Sequence, residues 1–111
     1  MTRTKSVFDE YDVIHSAFHD LPDDSLKVEF LEALAELEDE ECHRTHNLPK
    51  TRLHKVVGVR DAIYRADVTK VSGWRIHLQY SNGGLHLKDL VPGGRHDSVG
   101  QVIKSKRGRY E

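Results

Sequence analysis

The chain has 111 residues, is 37% hydrophobic and carries a net charge of −1, which suits one domain (1–111) with one modest core and leaves no room for a second. No apolar run approaches the roughly 18 residues of a membrane span. Met1-Thr2-Arg3-Thr4-Lys5 is not followed by the apolar segment of a secretory signal. Cys42, the single cysteine, cannot form an internal disulfide, and a cytoplasmic protein without membrane attachment is expected.

The small net charge hides a division. From Met1 to Asn47 thirteen acidic residues face four basic ones, a balance of −9; from Leu48 to Glu111 thirteen basic residues face five acidic ones, a balance of +8. A basic half in a near-neutral protein suggests contact with a polyanion or an acidic partner, while the acidic half reads as helix surface (1–47).

In chain order, Ser6-Val7-Phe8-Asp9 is a plausible helix start. Phe8, Tyr11, Ile14, Phe18 and Leu21 follow at spacings of three and four, which predicts a first helix; a short strand around Val7 and Phe8 is the alternative. Asp20-Leu21-Pro22-Asp23-Asp24-Ser25 interrupts the pattern, and its proline and carboxylates suit the first turn of a second helix running to about Glu41. Leu26, Phe30, Leu34 and Leu37 form that helix's apolar stripe, with glutamates on the remaining surface. The two helices are expected to form a hairpin laid on a sheet. His15 with His19, and Cys42 with His43 and His46, tempt a metal reading, but neither group has a matching ligand set at finger-like spacing; no metal and no other cofactor is expected.

From Leu53 the period changes to two. Strands are predicted at Leu53–Val57, Ala62–Thr69, Trp74–Tyr80 and Leu85–Leu90, within a sheet spanning 53–90. Short connections, with Asn82-Gly83 before the last strand, predict antiparallel pairing. The fold class is therefore α+β: an N-terminal helical hairpin on a four-stranded antiparallel sheet, then a short helix at 96–104 and a basic tail at 105–111. Alternation assigns Tyr64, Ala66, Val68, Trp74, Ile76, Leu78, Tyr80, Leu85 and Leu87 to the core. It sends Arg65, Asp67, Arg75, His77, Gln79, His86 and Lys88 to the opposite face, expected to be open to water. The run Leu53–Val57 does not alternate cleanly, so it leaves the faces of His54 and Lys55 unassigned.

Pro92-Gly93-Gly94-Arg95-His96-Asp97 then puts a guanidinium, an imidazole and a carboxylate beyond a strand end, a common location for functional groups. Asp97 or Ser98 also suits the cap of the last helix.

Tyr64-Arg65, Gly73-Trp74-Arg75-Ile76, Leu85-His86-Leu87 and Gly94-Arg95-His96-Asp97-Ser98-Val99 together resemble the RelE/ParE superfamily of bacterial and archaeal toxins, over roughly Leu53 to Ile103. The resemblance implies a toxin of a toxin-antitoxin system acting as a metal-independent endoribonuclease on mRNA at the ribosome. Arg65, Arg75 and Arg95 stand at its phosphate-binding positions. Asp67 replaces a second basic residue, and Gly100 stands where many members carry a tyrosine, which shifts the proton transfers to histidines. Cleavage by the ribose 2′-hydroxyl needs a base, an acid and cations on the phosphoryl oxygens. The expected catalytic set is His77, Arg75, Arg95 and His96, with Arg65, Lys88, His86, Gln79 and Asp97 as RNA contacts. The expected partners are mRNA, the ribosome and an antitoxin protein, and a homodimer fits the same class. A non-catalytic, ParE-like inhibitor of DNA gyrase, or a protein-binding module on the same fold, is the alternative.

Overall fold

A computed structural model describes residues 5–56, 62–71, 73–81 and 83–92. Among these residues it is an α+β fold of three helices and a five-stranded mixed sheet: β1 (Val7–Phe8), α1 (Val13–Asp20), α2 (Asp24–Leu37), α3 (Glu40–Thr45), β2 (His54–Lys55), β3 (Tyr64–Asp67), β4 (Arg75–Ser81) and β5 (Gly84–Val91). The strand order is β1-β5-β4-β3-β2. β1 lies parallel to β5 and every other pairing is antiparallel. The expected sheet of four antiparallel strands is corrected by one strand. Val7 and Phe8 pair with Leu85 and His86, so the predicted start of the first helix is a strand. The expected helix at 96–104 and tail at 105–111 lie outside the described residues.

Local chemistry explains the helix boundaries. Asp9 accepts hydrogen bonds from the backbone N–H groups of Val13 and Ile14 at 2.7 and 3.0 Å, so the acidic residue read as part of a helix stands before one and holds its first turn. Asp23 caps α2 by accepting from the Leu26 N–H at 2.8 Å. The predicted second helix stops at Leu37, because Asp39 takes an extended conformation and caps the N–H groups of Glu41 and Cys42, starting α3.

The core lies between the helices and one face of the sheet. Val13, Ala17 and Leu21 from the first hairpin arm and Phe30, Ala33, Leu34 and Leu37 from α2 pack on Ala66, Val68, Ile76, Leu78, Leu85, Leu87 and Leu90. Trp74 packs at the edge of this cluster and is only partly buried. The Phe8 ring lies over Gly84, where a Cβ would meet it at 2.3 Å.

Alternation fails at one point in β5. His77 pairs with Asp89 and Leu78 with Leu87, so Lys88 is an extra residue and the register shifts there. Such a bulge rotates the following residues by one place. Asp89 thereby joins His77 and Arg65 on one face, and Leu90 enters the helix-side core. A regular strand would have pointed Asp89 into that core.

The polar face is not open, which corrects the expectation from alternation. His77 is 0% exposed, and Asp67, Gln79, Lys88 and Asp89 are also buried. Ile63 and Val91 are buried but stand outside the helix-side cluster; Val91 is level with Arg75 in the register. The period of a strand reports which side a residue faces, whereas coverage of that side depends on what the chain lays across it.

An arginine and histidine cluster at the sheet edge

The segment leading into β2 is held by one carboxylate. Glu36 of α2 accepts from the Lys50 N–H at 2.9 Å, the Thr51 N–H at 2.8 Å and the Thr51 hydroxyl at 2.7 Å. Lys50 also forms an ion pair with Glu29. Thr51 is fully buried, and its carbonyl accepts from the Asp67 N–H at 2.7 Å. The chain then turns through Arg52 with φ +49°, a left-handed conformation that costs a non-glycine residue about 1–2 kcal/mol. Clamp and kink together aim Arg52 at β3 and set the register of β2.

Three arginines meet one carboxylate there. Arg52 Nε donates to Asp67 Oδ2 at 2.7 Å and its Nη2 joins the same oxygen. Arg75 Nε lies 3.4 Å from Asp67 Oδ1, and Arg75 Nη1 donates to the Gly73 carbonyl at 2.8 Å. Arg65 stands two residues before Asp67 on the same face of β3, and its buried Nε has no hydrogen-bond partner among the described residues. Burial, first, and the nearby charges of Arg75 and Arg52 push the Arg65 guanidinium below its usual value, against an opposing pull from Asp67. Among the described residues the three guanidinium groups outnumber Asp67, the carboxylate that Arg52 and Arg75 contact.

His54 completes the cluster. It is the cross-strand partner of Arg65 and so shares its face. It is exposed, and its Nδ1 lies 2.7 Å from the Arg52 carbonyl. A carbonyl only accepts, so Nδ1 carries the proton, and in the neutral ring Nε2 presents a lone pair. Sequence reasoning missed His54 because the kink at Arg52 breaks the alternation that would have shown its face.

The other expected site residues are dispersed. His77 is level with Arg65 and Asp89 but inside the protein. Gln79 is buried with its Oε1 lacking a partner among the described residues. His86 stacks on Phe8 with ring centroids 4.9 Å apart and contacts Glu10 at 2.7 Å. Lys88 sits over the Tyr11 ring at 5.3 Å. His86 and Lys88 therefore belong to the β1 end of the sheet, away from the arginines at the β2 end. Of the expected residues, Arg65 and Arg75 come together with His77 beside them; Arg95, His96 and Asp97 lie outside the described residues.

A concavity opens on the helix side of the same edge, with a volume of about 370 Å³, between α3, Leu53, Tyr64 and Tyr80. His43 spans it: Nε2 is 2.7 Å from the Leu37 carbonyl and Nδ1 is 2.8 Å from the Tyr80 hydroxyl. Burial, then Tyr64 and Glu40, raise the Tyr80 hydroxyl above its ordinary value. Burial, followed by Asp39 and other carboxylates, also holds the Cys42 thiol up, which keeps it from acting as a ready nucleophile. Among the described residues no three histidine, cysteine or acidic side chains converge as a metal site, and no helix is long and apolar enough to cross a membrane.

Comparison of the chain with family models, with curated proteins and with solved structures finds no match.

Proposed function

We propose that this chain is an RNA-cleaving toxin of the RelE/ParE kind, gripping the RNA backbone with Arg52, Arg65 and Arg75 and drawing the 2′-hydroxyl proton to His54. The observation that carries the reading is the excess of Arg52, Arg65 and Arg75 over Asp67, the carboxylate they face among the described residues. A phosphate supplies the missing negative charge, and its oxygens accept the paired N–H groups that arginine offers.

In this mechanism the 2′-oxygen attacks the adjacent phosphorus while His54 Nε2 takes its proton. The arginines stabilise the charge growing on the phosphoryl oxygens, and the P–O5′ bond breaks to leave a 2′,3′-cyclic phosphate and a 5′-hydroxyl. His96, with Arg95 and Asp97, is assigned on the resemblance to protonate the leaving 5′-oxygen. His77, enclosed beside Arg65 and Asp89, holds the strand face in place in this reading and does not touch the substrate. The partners are mRNA, reached on the ribosome, and a cognate antitoxin.

Inducible expression followed by mapping of cellular RNA 5′ ends tests the proposal. New 5′-hydroxyl ends are expected, and Arg65→Ala and His54→Ala should each remove them while circular dichroism shows the fold retained. Growth arrest without new ends would replace the nuclease with a non-catalytic inhibitor of the gyrase-binding type. Harmless expression would remove the toxin reading.

A further inference from the structure

We infer that the cavity on the helix side of the β2 edge is a nucleotide-binding subsite that takes one base against Tyr64 and Tyr80 and one phosphate at Lys5. Its polarity follows from the hydrogen bonds of His43. The Leu37 carbonyl only accepts, so His43 Nε2 carries the proton, and in the neutral ring Nδ1 accepts from the Tyr80 hydroxyl. Tyr80 has spent its one proton, and its oxygen faces the cavity as an acceptor. A ligand must bring an N–H, as the imino and amino edges of the nucleobases do.

The walls suit a flat ring. The Tyr64 and Tyr80 rings meet edge to face with centroids 4.9 Å apart, and Leu48 and Leu53 supply apolar surface. The charges give the ligand a direction. Lys5 Nζ lies 5.5 Å from the centre of the Tyr80 ring, while Arg44 is engaged by Glu41. Glu40, also at the rim, repels phosphate and accepts N–H. Base toward Glu40 and Tyr80, and phosphate toward Lys5, is the arrangement that satisfies all three.

The cavity and the arginine cluster are built from the same two stretches of chain. Leu53 lines the cavity, while Arg52 and His54 on either side of it belong to the cluster; Tyr64 lines the cavity, and Arg65 belongs to the cluster. Among the described residues β2 is the last strand at this end of the sheet order. An RNA strand crossing that edge would place a base on one side and the next phosphate on the other. This extension to a polymer rests on the RNA reading above, whereas binding of a mononucleotide does not.

Titration calorimetry on the full chain with the four nucleoside 5′-monophosphates, ribose 5-phosphate and inorganic phosphate tests it. Arg65→Ala serves as background, to weaken the arginine cluster. At least one monophosphate should bind at one site, more tightly than ribose 5-phosphate. Tyr80→Phe, which keeps the ring, should weaken it about three- to tenfold, as the loss of one hydrogen bond does. Lys5→Ala should weaken the monophosphate and leave the free nucleoside unchanged. No binding, equal binding of ribose 5-phosphate, or wild-type affinity in both Tyr80→Phe and Lys5→Ala would overturn the inference. Nucleotide binding that persists when no RNA is cut would leave the subsite standing and remove only the nuclease.

Discussion

Asp67→Asn separates the structural role of the arginine cluster from its functional one. The substitution keeps the shape of the side chain and one acceptor oxygen but removes the charge that Arg52 and Arg75 face. Removing one partner of a buried ion pair costs about 3–5 kcal/mol. The Arg52 side chain is 51% exposed and that of Arg75 16%, so water takes up part of the loss and a cost of about 2–3 kcal/mol is expected. For a domain of this size that lowers the melting temperature by roughly 10 °C. The functional consequence has the opposite sign. With the internal counter-ion gone, an external phosphate meets less competition, and at a hundred times its Kd it restores about 2.7 kcal/mol. Scanning calorimetry in a phosphate-free buffer, with inorganic phosphate then added, should show the variant melting lower but gaining more from phosphate than the wild type. Equal or smaller gains in the variant would refute the idea that the cluster is built to receive an anion.

The Glu36 clamp gives a second expectation: Glu36→Ala leaves the Lys50 N–H and both donors of buried Thr51 without their acceptor, and should cost about 2–4 kcal/mol in urea unfolding, a loss below 1 kcal/mol counting against the clamp. Gly84→Ala would drive a methyl group into the Phe8 ring and should cost about 1–2 kcal/mol; because that ring is 46% exposed and removable, the same change in a Phe8→Ala background should cost less, and additive costs would place the strain elsewhere. The Tyr80 hydroxyl titrates above its ordinary value of 10.0 in the folded protein. Its contribution to stability is therefore complete below that value and is lost as pH rises through the folded-state value. The stability difference between wild type and Tyr80→Phe should move against the wild type in that alkaline window, and a constant difference would show that Tyr80 is not the group responsible.

Much of the helix-side core was legible from period alone. Phe30, Leu34 and Leu37 at helical spacing, and Ala66, Ile76, Leu78, Leu85 and Leu87 at strand spacing, are buried where the pattern sends them. The misses have particular causes. β1 is two residues whose partners lie more than seventy positions away, and no local pattern reports a parallel pairing of that range. α3 was merged with α2 because Asp39 sits in an acidic run where a cap looks like any other carboxylate. The polar row of β4 was legible as a row but not as a buried one, and the exposed histidine beside the arginines, His54, was hidden by the left-handed turn at Arg52. The bond between His43 and Tyr80 joins positions 37 apart, and only the packing of α3 against the sheet edge reveals it.

The bulge at Lys88 has a consequence for how this sequence tolerates change. It is a frameshift in a two-letter code: positions 85–87 of β5 are read in one phase and positions 89–91 in the other. Substitutions on either side of Lys88 can be accepted while each phase keeps its own polarity. Deleting the single residue 88 would close the bulge and leave Leu87, Asp89, Leu90 and Val91 in regular alternation on their present faces, whereas deleting Leu87 would close it with Lys88 in the core position opposite Leu78. The surplus residue is thus the one position in β5 where a deletion keeps both phases, and a deletion that spares Lys88 but removes Leu87 should be far more damaging.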